Sequence, residues 1–240
     1  MKRNHIRRVV MISLLALWGA PSCVPGGEGG GEASVRTDPV SFLALGDSYT
    51  IGESVDSSLR WPVQLARLLR EEGASVADPF IIARTGWTTD ELERGIREAG
   101  LEGSYEMVSL LIGVNNQYRD RDLEEYREQF RGLLSRAVTL AGGDPNRVLV
   151  LSIPDWGVMP FAQGRDREAI AREIDAFNRA NQEESLRGGV RYVDVTKISR
   201  DAAEDAGLVA GDGLHPSGVQ YTRWAEEARP EAREILAVGG

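Results

Sequence analysis

Five short apolar runs punctuate the chain: Val40–Leu45, Phe80–Ala83, Met107–Ile112, Val148–Ile153 and Val190–Val195. Runs of this length predict strands covered on both faces, the signature of a parallel sheet, and the fifth, interrupted by Arg191 and Asp194, a further strand. Between them the period changes to that of a helix. Pro62 at a first helical position opens Val63–Glu72, with Leu65, Leu68 and Leu69 on one side and Gly73 as the stop. Thr88 and Glu91 have capping-box spacing ahead of Leu92, Ile96 and Ala99, and Gly100 closes that helix. Asp122 and Glu125 lead a third helix carrying Leu123, Tyr126, Phe130, Leu133, Leu134 and Ala137, ended by Gly142, Gly143 and Pro145. Ile170, Ile174 and Phe177 mark a fourth. Ser217 and Gln220 cap a last one with Tyr221, Trp224 and Ala228, which Pro230 is expected to kink or restart.

Strand and helix in alternation predict an α/β fold, a five-stranded parallel sheet between two helical layers joined by right-handed crossovers. Ligands of such sheets bind outside the carboxyl ends of the strands. The residues that follow those ends are Ser48, Gly86, Asn115 with Asn116, and Asp155 with Trp156. No internal repeat and no second folded domain is visible.

The N-terminal 38 residues read differently. Residues 1–22 carry Lys2, Arg3, Arg7 and Arg8 and no acid, followed within the same segment by the apolar stretch Val9–Ala20. This is the layout of a secretory signal, too short to span a bilayer comfortably. Ala20-Pro21-Ser22-Cys23 resembles a bacterial lipoprotein signal, with Ala20 where a leucine is usual. Residues 23–38 are glycine-rich and read as a flexible tether, leaving 39–240 as the folded domain. The expected protein is exported and held at the cell envelope by a lipid on Cys23, with secretion into the periplasm or medium as the alternative.

The formal charge of −9 becomes −13 without residues 1–22, with 24 basic residues against 37 acidic. Such a body argues against nucleic acid or anionic headgroups as partners. A single cysteine excludes an intrachain disulfide and a cysteine-cluster metal site. One histidine remains in the folded domain, so no metal and no cofactor is expected.

That histidine, His215, stands in Asp212-Gly213-Leu214-His215-Pro216, while Ser48 sits at the lip of the first strand in Gly46-Asp47-Ser48-Tyr49-Thr50. A serine hydroxyl becomes nucleophilic when a base takes its proton, and a free imidazole, titrating near pH ~6.5, can do so. Asp212 could fix the imidazole tautomer. No Gly-x-Ser-x-Gly elbow surrounds Ser48, which argues against the α/β-hydrolase family. Asp47, Asp155 and Asp194 read as structural carboxylates of loops and caps. Trp87, Trp156 and Phe161 fall in rim loops, where they either line a pocket or pack the loops down.

Four blocks in order resemble those of the SGNH, or GDSL, hydrolases: Gly46–Thr50, Arg84-Thr85-Gly86-Trp87-Thr88, Ile112-Gly113-Val114-Asn115-Asn116 and Asp212–Pro216. The resemblance extends from about residue 40 to the C-terminus. It implies the three-layer α/β/α sandwich of that family, flavodoxin-like, with Ser48 as nucleophile, His215 as base and Asp212 as third member. It further implies an oxyanion hole from the amides of Ser48 and Gly86 and the side chain of Asn115. Asn116 replaces the family's usual aspartate, and Tyr49 its namesake leucine. Trp87, Asn116, Trp156 and Phe161 are the candidates for a substrate pocket. The expected activity is cleavage of carboxylic esters by a monomer without cofactor, on lipid or lysophospholipid esters or on O-acetylated glycans. An acyltransferase acting on envelope glycans and a non-catalytic carbohydrate-binding lipoprotein are the alternatives.

Overall fold

The computed structural model describes residues 38–238; the basic segment, the apolar stretch, Cys23 and the glycine-rich run all lie outside them. Five strands form one sheet: β1 (Phe42–Gly46), β2 (Phe80–Ala83), β3 (Met107–Leu111), β4 (Val148–Leu151) and β5 (Arg191–Val193). Their order is β2-β1-β3-β4-β5, and every neighbouring pair is parallel. The residues of β1, β3 and β4 are all buried, as their apolar runs require.

The topology follows from one reversal of direction. The chain steps from β1 outward to β2, then returns across β1 to β3 and continues to β4 and β5. Right-handed crossovers therefore place α2 (Trp61–Glu71) on one face of the sheet. The same rule puts α3 (Thr89–Glu98), α5 (Leu123–Leu140) and α6 (Arg167–Arg187) on the other. The C-terminal α8 (Gly218–Val238) packs on α2, and α5 packs on both α3 and α6. The result is an α/β/α sandwich. Between α5 and α6, Glu184 is buried and receives Arg131 at 2.8 Å, Arg187 at 3.0 Å and Arg127 at 3.3 Å.

Local signals sit where the sequence places them. The Asp122 carboxylate accepts the amides of Glu124 and Glu125, and the Thr88 amide donates to Glu91. Except for β2, the strands are shorter than the apolar runs. Ile153 and Val195 are buried, but their amides are taken by the side chains of Asn178 and Ser152, so the ladder stops before them. Helix α8 does not restart at Pro230: it runs unbroken through it. Tyr221, Trp224, Ala225, Ala228, Ala232 and Ile235 are all buried along one stripe, and this packing outweighs the hydrogen bond that proline removes. Among the described residues no helix is long and apolar enough to cross a membrane.

The sheet order makes β1 and β3 adjacent, with the switch in winding direction between them. Their carboxyl ends open onto one rim, which carries Ser48 after β1, Gly86 after β2 and Asn115 after β3.

Candidate active site

β1 ends at Gly46, and a short helix, α1 (Ser48–Ile51), begins two residues later. The turn is tight enough to require glycine: a Cβ at Gly46 would lie 2.6 Å from the Leu111 carbonyl oxygen and would overlap the Thr50 side chain. Asp47 caps α1, its carboxylate accepting the Tyr49 amide at 3.0 Å. Ser48 is thus the first helical residue, with its amide directed out of the helix end and 4% of its surface exposed.

His215 is held by its own loop. Its carbonyl accepts the Ala210 amide at 2.8 Å, and Val209 pairs with Pro216 across that turn. The Asp212 carboxylate receives four donors. Oδ1 takes the amides of Leu214 and His215, each at 3.0 Å; Oδ2 takes His215 Nδ1 at 2.6 Å and the Ser54 hydroxyl at 2.7 Å. Partial burial pushes this carboxyl up, but the four donors together outweigh it and hold it well below the usual carboxylate range. An ionised Asp212 accepts Nδ1–H and leaves Nε2 with its lone pair free to accept a proton. The Tyr49 ring lies 5.3 Å from the imidazole, centroid to centroid, and so backs it.

Ser48 and His215 line the same cavity, of about 160 Å³, with Tyr49, Val114, Asn115, Tyr118, Trp156, Phe161 and Leu214. The Ser48 hydroxyl makes no hydrogen bond to the imidazole, a looseness common in such sites before substrate closes them. Asn115 lies in α4 (Val114–Tyr118) and gives one amide hydrogen to the Trp87 carbonyl at 2.9 Å, which leaves the second for a ligand. Gly86 has a left-handed φ of +85°, and Arg119 holds its carbonyl at 2.5 Å. A glycine tolerates that conformation, and Gly86 lies outside the residues that line the cavity.

Not every candidate faces the cavity. Trp156 and Phe161 do; Trp87 and Asn116 do not. The Trp87 ring lies over Gly95 of α3, so close that a Cβ there would fall 2.7 Å from Cζ3. Asn116 is buried and exchanges two hydrogen bonds with Thr89, 3.1 Å to its amide and 2.8 Å to its hydroxyl. Both fasten α3 to α4 rather than meet a ligand. The three remaining rim carboxylates are bonded within loops and caps. Asp47 caps α1, Asp155 accepts Gly157 N–H and pairs with Arg200, and Asp194 accepts Thr196 N–H.

Tyr118, Leu214 and Val114 are cavity residues that the motifs did not single out. Tyr118 stands three residues after Asn115 on α4, so the two share a helical face. A helix assigned to 114–118 would have revealed it. Beyond the cavity, Arg165 sits over the rings of Tyr118, Trp156 and Phe161, at 5.3, 5.3 and 5.7 Å from their centroids. A second cavity of about 360 Å³ begins there and shares Tyr118 and Trp156 as walls. A larger groove of about 510 Å³ between α3 and α5 shares no residue with either. Among the described residues no cluster of three or more histidine, cysteine or carboxylate side chains could hold a metal ion.

A parallel α/β sandwich with a serine, an aspartate-bound histidine and an asparagine on one rim is the framework of an ester-hydrolysing enzyme. The chain belongs to the GDSL-like lipase/acylhydrolase family, whose sequence model matches residues 44–223. Solved structures share the fold at low identity. TesA superposes with a TM-score of 0.64 at 20% identity, over 82% of this chain and 99% of that one. Axe2, an acetylxylan esterase from Geobacillus stearothermophilus, gives 0.63 at 20% identity, over 82% and 94%. A member of the lipolytic protein G-D-S-L family from Veillonella parvula gives 0.56 at 16%, over 82% and 97%. No curated protein matches the sequence.

Proposed function

We propose that the protein hydrolyses short-chain acyl esters of a polyhydroxy alcohol such as a sugar, through an acyl-Ser48 intermediate. The size of the catalytic cavity carries this reading. Pockets for drug-sized ligands measure about 300–1,000 Å³; the one that Ser48 and His215 line measures about 160 Å³. With a water occupying ~30 Å³ of liquid, such a space suits an acetyl or propionyl group and not a long chain. Past its aromatic lip lies the roomier second cavity. Tyr118 and Phe161 stand 42% and 43% exposed at that lip, flat apolar faces suited to the C–H faces of a sugar ring. The acidic surface of the folded domain disfavours phosphorylated headgroups as the alcohol.

In this reading His215 Nε2 takes the Ser48 proton as Oγ attacks the ester carbonyl. The amides of Ser48 and Gly86 and the free hydrogen of Asn115 receive the developing oxyanion, each preorganised donor worth about 3–4 kcal/mol of barrier. The imidazolium, stabilised by Asp212, then protonates the departing alcohol. Water repeats the sequence on the acyl-enzyme and releases the acid. Export and a lipid on Cys23 are part of the proposal, placing this chemistry at the cell envelope.

A p-nitrophenyl ester series tests the acyl preference. Acetate and propionate should exceed octanoate in kcat/KM by about tenfold or more, since misfitting methylenes cost ~1–3 kcal/mol each. A preference for octanoate contradicts the short-acyl assignment. Metabolic labelling with an alkyne fatty acid should mark the full chain and not its Cys23→Ser variant; equal labelling of both removes the anchor.

A further inference from the structure

The segment that follows α1 makes two contacts with distant parts of the rim. Gly52 ends α1 in the left-handed region at φ +64°, and its amide returns to the Ser48 carbonyl. Two residues on, Ser54 is also left-handed, at φ +65°, although it carries a Cβ. L residues other than glycine are strained there, and asparagine and aspartate tolerate it better than serine does. Ser54 is exposed, so apolar burial does not explain the serine. Its hydroxyl donates to Asp212 Oδ2 at 2.7 Å, across 158 positions of sequence. The neighbouring Glu53 accepts the hydroxyl of Thr85, the residue before Gly86.

The other bonds of Asp212 have a shorter reach. Leu214 and His215 belong to its own loop, and their donors fix the carboxylate only relative to that loop. The carboxyl torsion of an aspartate is broad and is not fixed by its own preference. Among the described residues, the Ser54 hydroxyl provides the side-chain bond that ties Asp212 to the segment continuing from the Ser48 helix. Resting on the reading of Ser48, His215 and Asp212 as a triad, we infer that Ser54 is a positioning residue. It holds the Asp212 carboxylate, and through it the His215 ring, in register with Ser48. Glu53 extends the same strap to the Gly86 turn.

Glycine and alanine at position 54 separate this role from a structural one. Both remove the hydroxyl, but glycine also removes the strain. Ser54→Gly should keep or raise Tm and yet lower kcat by roughly tenfold with KM unchanged, the cost of a small misplacement of the base. Ser54→Ala should show the same kcat loss with a lower Tm. A Ser54→Gly enzyme with wild-type kcat overturns the inference, and so does a loss confined to KM or one that follows Tm across the pair. Asp212→Asn is measured beside them. A large loss there with a silent Ser54→Gly rejects Ser54 alone, whereas a silent Asp212→Asn rejects the triad and the role of Ser54 together.

Discussion

Asp47 and Asp212 stand beside the two ends of the chemistry, one before Ser48 and one three residues before His215, and the fold treats them in opposite ways. Asp47 is fully buried, with one carboxylate oxygen on the Tyr49 amide and the other without a partner. Burial pushes its carboxyl up to about 7 against the pull of backbone hydrogen bonds. Asp212 remains 30% exposed at its side chain, takes four donors and is held well below the ordinary range. Burial prevails at Asp47 and the four donors prevail at Asp212, so the balance of the two decides which carboxylate stays charged. The difference serves the proposed reaction. A permanent charge on Asp212 stabilises the imidazolium, while an Asp47 with a raised pKa carries less negative charge beside a developing oxyanion than an ordinary carboxylate would.

The largest effects expected follow from removing members of the triad, the charge that stays among them. Asp212→Asn keeps the shape but loses the charge and the tautomer control, and should lower kcat by about 10³–10⁴-fold with a modest change in Tm. A loss below tenfold would make the two carboxylates equivalent. Ser48→Ala and His215→Ala should each cost as much or more, and the double variant little beyond either, because the members act as one unit. Near-additive losses would separate them.

Asp47 predicts a stability effect rather than a kinetic one. Its folded pKa lies above the unfolded value, so the folded state retains a proton that the unfolded chain releases. Stability is therefore full below about pH 4 and declines as the pH rises through 7. The elevation from 3.8 to about 7 corresponds to about 4 kcal/mol. Asp47→Asn should thus gain on the wild type between pH 4 and 8 in urea unfolding. A constant difference across that range would mean that Asp47 titrates normally. For Asp212 the sign reverses. Its folded pKa is depressed, so its contribution is present above about pH 3.8 and is lost as the pH falls through the acid range below it. The stability gap between wild type and Asp212→Asn should therefore narrow in acid. The smallest effect is expected at the lip, where Phe161→Ala should raise octanoate hydrolysis relative to acetate by a few-fold; an unchanged ratio would free Phe161 from any part in selectivity.

Much of the fold was legible because apolar runs and helical caps are local signals: β3 and β4 lie inside the runs that announce them, and β1 passes its run by one residue, Gly46. The rim positions of Ser48, His215 and Asn115 were legible for another reason: each follows a strand end or stands in a compact loop motif, whereas Gly86 follows β2 without lining the cavity. The pocket was less so. Gly113, at φ +131°, starts α4 at once after β3, so that Asn115 faces the cavity while Asn116 turns inward to Thr89. Nothing in the order Asn-Asn distinguishes the two without knowing that turn. Trp87 is withdrawn by a gap that Gly95 leaves on α3, a fit visible only in three dimensions. Ser54 meets its partner across 158 positions, beyond the reach of any local pattern.

A fluorophosphonate probe applied to the full chain, with the adduct located by peptide mass, tests the nucleophile most directly. One adduct per molecule on the Ser48 peptide, absent from Ser48→Ala and much slower to form in Asp212→Asn, is the expected result. An adduct on another residue, or labelling unchanged in folded Ser48→Ala, would contradict the acyl-Ser48 mechanism.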